Sequence, residues 1–231
     1  MFKKTFSMIY CVIFLQGCSQ EQEVKKEMTN MEMTNMETAL LAATEKNETN
    51  TVISLLKQGA NINATDNQGR TPLMIATYKN DVKTAKALIE AGADVNIQDD
   101  MKNNPFLYAG AEGYLDILKL TINAGADPTI TNRYGGTALI PASEHGYIDV
   151  IKELLTRTNI DVNHVNNLGW TALMEAIVLS NGNETQQQVI RLLIEHGADV
   201  NIPDNAGVAP LEHARAHNFA EIEKILLEGN K

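Results

Sequence analysis

Cysteine and aromatic residues are scarce in this chain of 231 residues, which has two cysteines, one tryptophan, six tyrosines and five phenylalanines. Cys11 lies in an apolar stretch near the beginning of the chain, and Cys18 follows shortly after that stretch. Because no cysteine occurs beyond Cys18, the long remainder of the chain cannot form an internal disulfide or a cysteine-based zinc site. Its folded state must therefore be held by side-chain packing.

Long apolar runs are also missing from the sequence. The longest covers residues 6–15, which is ten residues, whereas a membrane-spanning helix needs about 20. Two lysines precede this run, and Gly17 and Cys18 follow it. The order of positive charge, apolar stretch and small residue is typical of an export signal. We therefore predict that residues 1–17 form a signal peptide that is cleaved.

The segment Leu15-Gln16-Gly17-Cys18 resembles the lipobox of bacterial lipoproteins, in which the cysteine becomes the first residue of the mature chain. The resemblance implies that Cys18 carries a lipid anchor, although Gln16 replaces the small residue usual at its position. Ser19 stands where aspartate would imply retention at the inner membrane. The resemblance therefore implies the periplasmic face of the outer membrane of a Gram-negative bacterium. The alternative is an ordinary cleaved signal with an accidental cysteine.

Basic residues are fewer than acidic ones, 19 against 29, so the formal net charge is −10. Proteins bind nucleic acid nonspecifically by neutralising phosphates with lysine and arginine, and a chain this acidic would be repelled. A basic protein surface would instead be attracted to it. The composition thus favours a protein partner and argues against nucleic acid.

From residue 37 onward, two short phrases recur in phase along the chain. The first reads TPLMIAT from Thr71 and TALMEAI from Thr171, and the second reads AGADVN from Ala91 and HGADVN from His196. Successive copies of the first phrase begin 33, 33, 33, 34 and 38 residues apart. A near-constant step of this size is typical of repeat solenoids, in which each unit buries its apolar face against its neighbours.

These phrases resemble the ankyrin repeat, which reads TPLHxA followed by GADVN. The resemblance implies an all-α ankyrin-repeat solenoid of about six helix-turn-helix units with β-hairpin loops, forming one domain over residues 37–231. The six units cover residues 37–68, 69–101, 102–134, 135–168, 169–206 and 207–231.

The residue types at the ends of the predicted helices fit this architecture. A threonine such as Thr71 can cap the first helix of each unit, and Pro72 suits a first helical turn. The glycines positioned to end the second helices as C-caps are Gly59, Gly92, Gly125 and Gly197. The spacing of Leu73 and Ala76, like that of Leu139 and Ala142, predicts apolar helix faces that stack closely.

Two units depart from the repeat pattern. In the fourth unit, Asn159 and Ile160 stand where Gly-Ala belongs, so the end of that helix is uncertain. In the fifth unit, four extra residues within SNGNETQQQ predict a polar loop between the two helices. These departures resemble those of small YahD-type ankyrin proteins of enteric bacteria, a kinship that supplies no activity.

Residues 18–36 lie between the predicted cleavage site and the first repeat. The stretch SQEQEVKKEMTNMEMTNM is polar and charged and lacks an aromatic residue, which predicts a flexible tether behind the lipidated Cys18. Its four methionines offer two alternatives, a soft-metal tract for Cu(I) or a short helix that packs methionines on the first repeat. Because the stretch has no histidine or cysteine, we expect no metal site there.

Catalytic and metal-binding motifs are missing from the repeats. His213 and His217 have the i, i+4 spacing of zinc-binding helices, but the glutamate of HExxH is absent and Arg215 lies between them. Two histidines also fall short of the three or four ligands that zinc takes. YGGTALI has two glycines but no P-loop lysine. We predict that the protein is not an enzyme, that it holds no metal or cofactor, and that His217 lies on the surface.

The resemblance to ankyrin proteins also implies where a partner binds, at the hairpin tips and on the exposed side of the first helix of each unit. The residues at these positions are Gln68, Arg70, Tyr78, Lys79, Met101, Asn103, Glu112, Arg133, Tyr134, Glu144, His145, Leu168, Trp170 and Leu179. We expect Trp170 at the position most open to solvent, and tryptophan, tyrosine and arginine dominate interface energies. The alternative for Trp170 is packing against the neighbouring hairpin.

The resemblance implies that the protein is a lipoprotein that binds another protein. Ankyrin lipoproteins of this kind occur as immunity proteins against phospholipases that type VI secretion delivers into the periplasm. We therefore predict an immunity protein that binds such a phospholipase and inhibits it sterically. The alternative is a general periplasmic scaffold, like the ankyrin proteins that accompany catalases in oxidative defence.

Overall fold

The chain forms a row of paired helices in the computed structural model, which describes residues 31 and 33–229. The first helix, α1, covers residues 33–45. The helices that follow are α2 (Thr49–Lys57), α3 (Pro72–Tyr78), α4 (Val82–Glu90), α5 (Pro105–Ala111), α6 (Leu115–Asn123), α7 (Leu139–His145), α8 (Ile148–Arg157), α9 (Ala172–Val178), α10 (Glu184–Glu195), α11 (Pro210–Ala216) and α12 (Ala220–Gly229). This arrangement confirms the predicted all-α solenoid.

The helices form two layers, which we call inner helices (odd numbers) and outer helices (even numbers). The two helices of a unit pack on each other, as α3 does on α4 and α5 does on α6. Each also packs on its equivalent in the next unit, as α7 does on α9 and α4 does on α6. The apolar core is therefore continuous along the row, and no unit buries its apolar face alone.

The inner helices approach closely because a small side chain recurs at one position in each of them. The fully buried alanines at this position are Ala76, Ala109, Ala142, Ala176 and Ala214. Between α5 and α7 even alanine is too large at one point, because a Cβ atom added to Gly110 would lie 2.8 Å from the Cβ atom of Ala138. Leu73 and Leu139 are fully buried as well, so the predicted pairs of large and small residues are confirmed.

The inner helices of the second, third and fifth units begin with a side-chain cap. The oxygens of Thr71, Asn104 and Thr171 each accept the backbone N–H three residues later, at 3.1, 2.8 and 3.1 Å. Each cap satisfies one of the N–H groups that a helix start leaves without an intrahelical partner.

The predicted threonine cap is wrong in the first and fourth units. Thr38 lies inside α1, which begins earlier than the repeat pattern suggested, and its hydroxyl donates to the carbonyl oxygen of Thr34 at 2.9 Å. The Oγ1 atom of Thr137 is buried without a hydrogen-bond partner in the described part of the chain. This difference arises because α7 begins only at Leu139, with Ala138 at its N-cap.

The outer helices end as predicted where the repeat supplies glycine. Gly59, Gly92, Gly125 and Gly197 follow the helix ends with φ of 94°, 93°, 83° and 91°. In the fourth unit, α8 ends instead at Thr158, which is extended. The Thr158 hydroxyl donates to the carbonyl oxygen of Leu154 at 2.6 Å and accepts the N–H of Ile160 at 3.2 Å. A side chain thus replaces the left-handed backbone used elsewhere.

The extra residues of the fifth unit lengthen a helix as well as a loop. The connection between α9 and α10 covers residues 179–183, and α10 has 12 residues where α4 and α6 have nine. Asn183 caps α10 by accepting the N–H of Gln186 at 3.1 Å. The prediction of a polar loop is therefore only partly right, because the second half of SNGNETQQQ is helical.

The predicted β-hairpins are wrong, because no strand occurs among residues 33–229. Five-residue turns, which we call fingers, stand in their place and cover residues 66–70, 99–103, 132–136, 166–170 and 204–208. In each finger the N–H of the first residue donates to the carbonyl of the fifth, and the N–H of the fourth donates to the carbonyl of the first. These bonds close a turn but are too few to extend into a strand ladder.

The helix α1 reaches back into the segment predicted to be a tether. Residues 31 and 33–36 are helical, as in the helix alternative. Met31 and Met33 are 67% and 50% exposed, whereas Met36 is half-buried. The predicted signal peptide, Cys18 and the tether up to residue 30 lie outside the described residues. None of the helices within residues 33–229 is long and apolar enough to cross a membrane.

Lys102 occupies the fourth position of its finger with φ of 61°, a position that holds glycine in the other four fingers. Lys102→Gly should increase the free energy of unfolding by about 0.5–1 kcal/mol. The left-handed conformation costs a residue with a Cβ atom about 1–2 kcal/mol, which exceeds the roughly 0.4–1 kcal/mol of extra unfolded-state entropy that glycine brings. Chemical denaturation measures the difference.

Gly169→Ala is the matched control at the same position of another finger. A Cβ atom at Gly169 would lie 2.5 Å from the side chain of Asn205, so this variant should be destabilised. A destabilised Lys102→Gly variant would contradict the assignment of strain to Lys102.

Candidate protein-binding surface

The first residue of each finger holds the turn in shape through its side chain. These residues are Asp66, Asp99, Asn132, Asn166 and Asp204. In every case Oδ1 accepts the backbone N–H of both the third and the fifth residue, at 2.8–3.0 Å. The side chain of the third residue takes no part in this network, so its identity is free to vary between fingers.

The third residues form a series that we call the finger-tip row. From the first finger to the last they are Gln68, Met101, Tyr134, Leu168 and Ala206. The three in the middle are large and apolar, and they are 48%, 54% and 54% exposed. The predicted residues Met101, Tyr134 and Leu168 thus occupy equivalent places in three successive fingers.

Neighbouring fingers are held in register with each other. The N–H of Asp100 donates to the carbonyl oxygen of Gln68 at 3.1 Å, and the N–H of Asn167 donates to that of Tyr134 at 2.9 Å. Arg133 spans two tips, because its guanidinium lies 4.7 Å from the centre of the Tyr134 ring and its Nη1 is 3.5 Å from the sulfur of Met101. The finger-tip row is therefore a preformed surface.

Arg70 and Lys79 lie at the N-terminal end of this surface and are engaged within the chain. Arg70 contacts Asp66 at 2.7 Å and Glu45 at 3.0 Å, and Lys79 lies 3.6 Å from the other carboxylate oxygen of Glu45. Both predicted cations thus share one acid from α1. They neutralise this end of the surface.

Tyr78 and Asn103 are joined in one network that supports the second finger. The Tyr78 hydroxyl donates to Oδ2 of Asp99 at 2.5 Å, and the Asn103 amide donates to the Tyr78 oxygen at 3.0 Å. Burial and the hydrogen bond to Asp99 raise the pKa of Tyr78 to about 12. Its ring meets Tyr108 edge-on, with the centroids 4.4 Å apart. Both predicted residues therefore shape the site more than they offer free contacts.

The sequence predicted that Trp170 occupies the position most open to solvent, and this prediction is wrong. Trp170 is the fifth residue of its finger, its N–H is held by Oδ1 of Asn166 at 3.0 Å, and its side chain is half-buried. The open position is the third residue, Leu168. The repeat phrase identified the finger but not which of its side chains points outward.

The remaining predicted residues lie at the C-terminal ends of inner helices. Glu112 and Leu179 are exposed C-cap residues of α5 and α9. Glu144 and His145 end α7, where the His145 ring stacks on Tyr147 with the centroids 5.5 Å apart. Leu179, at 48% exposed, is the large apolar residue of this set.

Glu175 belongs to the same surface and was missed by the sequence analysis. It lies in the middle of α9, is only 7% exposed, and its Oε1 accepts the side-chain N–H of Asn166 at 2.8 Å. Burial and the neighbouring Glu144 raise the pKa of Glu175 to about 7. The sequence did contain a signal for Glu175. This acid lies one turn before Leu179, at a repeat position where α3 has Ile75 and α7 has Pro141.

Catalytic and metal-binding arrangements do not emerge from the described residues. They contain no group of three or more histidine, cysteine or acidic side chains that could hold a metal ion. His213 is half-buried and its Nε2 lies 2.8 Å from Oδ2 of Asp204, the first residue of the last finger, while His217 is exposed. His213 thus supports the last finger through Asp204, and His217 lies on the surface as predicted.

A stiff row of turns and inner helices with a variable outer face defines a repeat protein of the kind that binds other proteins. The family described as "Ankyrin repeats (3 copies)" matches residues 7–99 and 106–204. The chain belongs to the ankyrin repeat family, whose members generally act as non-enzymatic binding scaffolds. Membership of this family suggests a scaffold for protein–protein interaction.

Several relatives are similar to this chain. The putative ankyrin repeat protein YahD of Escherichia coli K12 is 50% identical over 76 residues, which are 33% of this chain and 38% of YahD. An ankyrin repeat protein of Rickettsia felis is 36% identical over 76 residues, 33% of this chain and 19% of the relative. The chain thus spans well under half the length of these two proteins.

Two solved structures are similar over most of the chain. An ankyrin repeat domain from Acinetobacter baumannii AYE is 49% identical with a TM-score of 0.81, covering 83% of this chain and 97% of that domain. The ankyrin repeat protein EF0377 is 42% identical with a TM-score of 0.80, and the match covers 83% of this chain and 98% of EF0377. The ankyrin repeat domain of Bcl-3, at 23% identity and a TM-score of 0.73, shares the fold.

Glu175→Gln should stabilise the protein at alkaline pH and have little effect near pH 4.5. In the unfolded chain the pKa of Glu175 is its ordinary value of 4.5, whereas in the folded chain the pKa is raised to about 7. Stability of the wild type therefore falls as pH rises between these values and stays at the lower level above them. The glutamine keeps an oxygen for Asn166, so its melting temperature at about pH 8 should be higher by about 2–4 °C, the shift for roughly 1 kcal/mol.

Glu195→Gln provides the comparison, because Glu195 is an exposed acid at the end of α10. Thermal denaturation of both variants and the wild type at the two pH values tests the expectation. An equal shift for Glu175→Gln at both pH values would contradict it.

Proposed function

We propose that the protein binds a protein partner through the finger-tip row, with Leu179 extending the contact onto α9. The observation that carries this proposal is the repetition of a large exposed apolar residue at the third position of three successive fingers, Met101, Tyr134 and Leu168. Isolated exposed apolar residues need no explanation, but a row of them marks an interaction surface.

The structure of the fingers favours a preorganised contact. Side-chain caps and bonds between fingers fix the tips before a partner arrives. Ordering of the surface therefore costs little on binding, and more of the apolar contact energy appears as affinity. Arg133 contributes a cation beside Tyr134, and arginine and tyrosine are enriched among residues that dominate interface energies.

We further propose that the partner is a phospholipase toxin in the periplasm and that the protein acts as an immunity protein anchored through Cys18. The export-signal pattern, the Cys18 motif and the net charge of −10 support this proposal. The solenoid would clamp the enzyme and cover its active-site entrance or its membrane-docking face. Inhibition would then be steric and would require no chemistry from this chain.

The experiment is recovery of partners by the tagged full-length chain from the periplasm of cells that carry its neighbouring genes. Replacement of Met101, Tyr134 and Leu168 by serine together should reduce recovery of the partner at least about tenfold, because buried apolar anchors contribute most of an interface's energy. Leu227→Ser is the control, since Leu227 is 45% exposed on α12, away from the fingers.

Three outcomes separate the two levels of the proposal. A phospholipase that the wild type inhibits and the triple variant releases supports both levels. Finger-dependent recovery of resident periplasmic proteins, such as an oxidative-defence enzyme, keeps the binding surface and contradicts immunity. Equal recovery by the wild type and the triple variant contradicts the finger-tip row as the binding surface.

A further inference from the structure

Apolar and acidic side chains lie next to one another around α9, beside the finger-tip row. Leu168 lies in the finger that precedes α9, Glu175 lies in the middle of α9, and Leu179 ends it one helical turn later. The adjacent helix α7 contributes Glu144, whose charge acts on Glu175. We call Glu144, Leu168, Glu175 and Leu179 the α9 strip.

The acids of the α9 strip have no lysine or arginine partner in the part of the chain that the structure describes. Among residues 33–229, no lysine or arginine nitrogen lies within 4.0 Å of the carboxylate oxygens of Glu144 or Glu175, and the sole ion-pair contact of Glu144 is His145 at 3.8 Å. At the N-terminal end of the same surface, Arg70 and Lys79 both contact Glu45. The two acids beside α9 are thus not neutralised by a lysine or arginine of the described residues, whereas the cations at the N-terminal end are.

The position of Glu175 adds a second observation. Only 7% of Glu175 is exposed, and Asn166 donates to its Oε1. Its Oε2 has no donor among the described residues and is not one of their buried unpartnered atoms, so it reaches the surface. Burial of a carboxylate without a full set of partners costs free energy. The equivalent positions of α3 and α7, Ile75 and Pro141, show that the repeat does not require an acid there.

We propose that the α9 strip receives an arginine or lysine side chain of the partner protein, set against Glu144 and Glu175, with apolar partner residues on Leu168 and Leu179. This inference rests on the proposed protein-binding function and specifies the chemistry of the partner. A planar guanidinium matches two carboxylates better than an ammonium group does, because it donates several hydrogen bonds in a fixed geometry. A basic segment flanked by apolar residues is therefore the occupant that the charges fit.

Binding of this cation should depend on pH. The groups that face Glu175 are Glu144 and His145 from α7, while His213, at the equivalent position of α11, is tied to Asp204. An approaching cation favours the ionised form of Glu175. Affinity should therefore increase from about pH 6 to about pH 8, and binding at pH 6 should release a proton.

The test uses the full-length chain and a set of short peptides, each with one central arginine flanked by leucines. The same peptides with citrulline, which is the same size but uncharged, are the matched ligands. Arginine peptides should bind at least about tenfold more tightly than their citrulline versions, which is the difference expected for charge-assisted hydrogen bonds. The double variant Glu144→Gln with Glu175→Gln should abolish this preference.

Controls separate this inference from the proposed function. Glu195→Gln removes an acid from α10 and should retain the preference for arginine. If the triple finger-tip variant loses peptide binding but arginine and citrulline bind alike, the finger-tip surface stands and the basic anchor is wrong. The anchor is also wrong if the partner recovered through the finger-tip row binds the Glu144 and Glu175 variants as tightly as the wild type. Melting temperatures verify that every variant is folded.

Discussion

The proposed binding surface depends on one repeated interaction, in which the first side chain of each finger accepts two backbone N–H groups. Without it, a five-residue turn would leave these groups to water, and the turn would be free to change shape. The network uses the first and fifth residues and leaves the third side chain uncommitted. Gln68, Met101 and Tyr134 can therefore occupy equivalent places without disturbing the finger. The fold thus separates the residues that give rigidity from those that give recognition.

The same separation explains why α9 tolerates Glu175, an acid whose burial lowers the stability of the fold. Replacing Glu175 by an apolar residue would remove the burial of an acid, and Ile75 shows that the stack accommodates such a residue. The buried acid lies on an inner helix near exposed Leu168 and Leu179, and not in the layer of outer helices. Strained or uncompensated groups that lie beside an otherwise unexplained exposed surface are reasonably connected with function, because selection for stability alone would remove them.

Features that depend on one repeat unit could be predicted from the sequence, whereas those that depend on neighbouring units could not. The helices, the glycine ends of the outer helices and the alanine positions follow from spacing within a unit. The missing cap at Thr137, the partial burial of Trp170 and the burial of Glu175 do not follow from the spacing within a unit. The β-hairpins were wrongly predicted because the repeated sequence specifies a turn but does not specify how many hydrogen-bonded residue pairs follow on either side of it. The anchor at Cys18 stays a prediction.

Net charge and the apolar row together decide which molecules can use the surface. A row of exposed apolar residues on a stiff scaffold would also allow copies of the chain to associate. Each copy carries a net charge of −10, so the approach of two copies is opposed by repulsion that acts before any apolar contact forms. A basic partner, as proposed for Glu144 and Glu175, would meet no such barrier. The net negative charge that opposes self-association would thus also favour that partner.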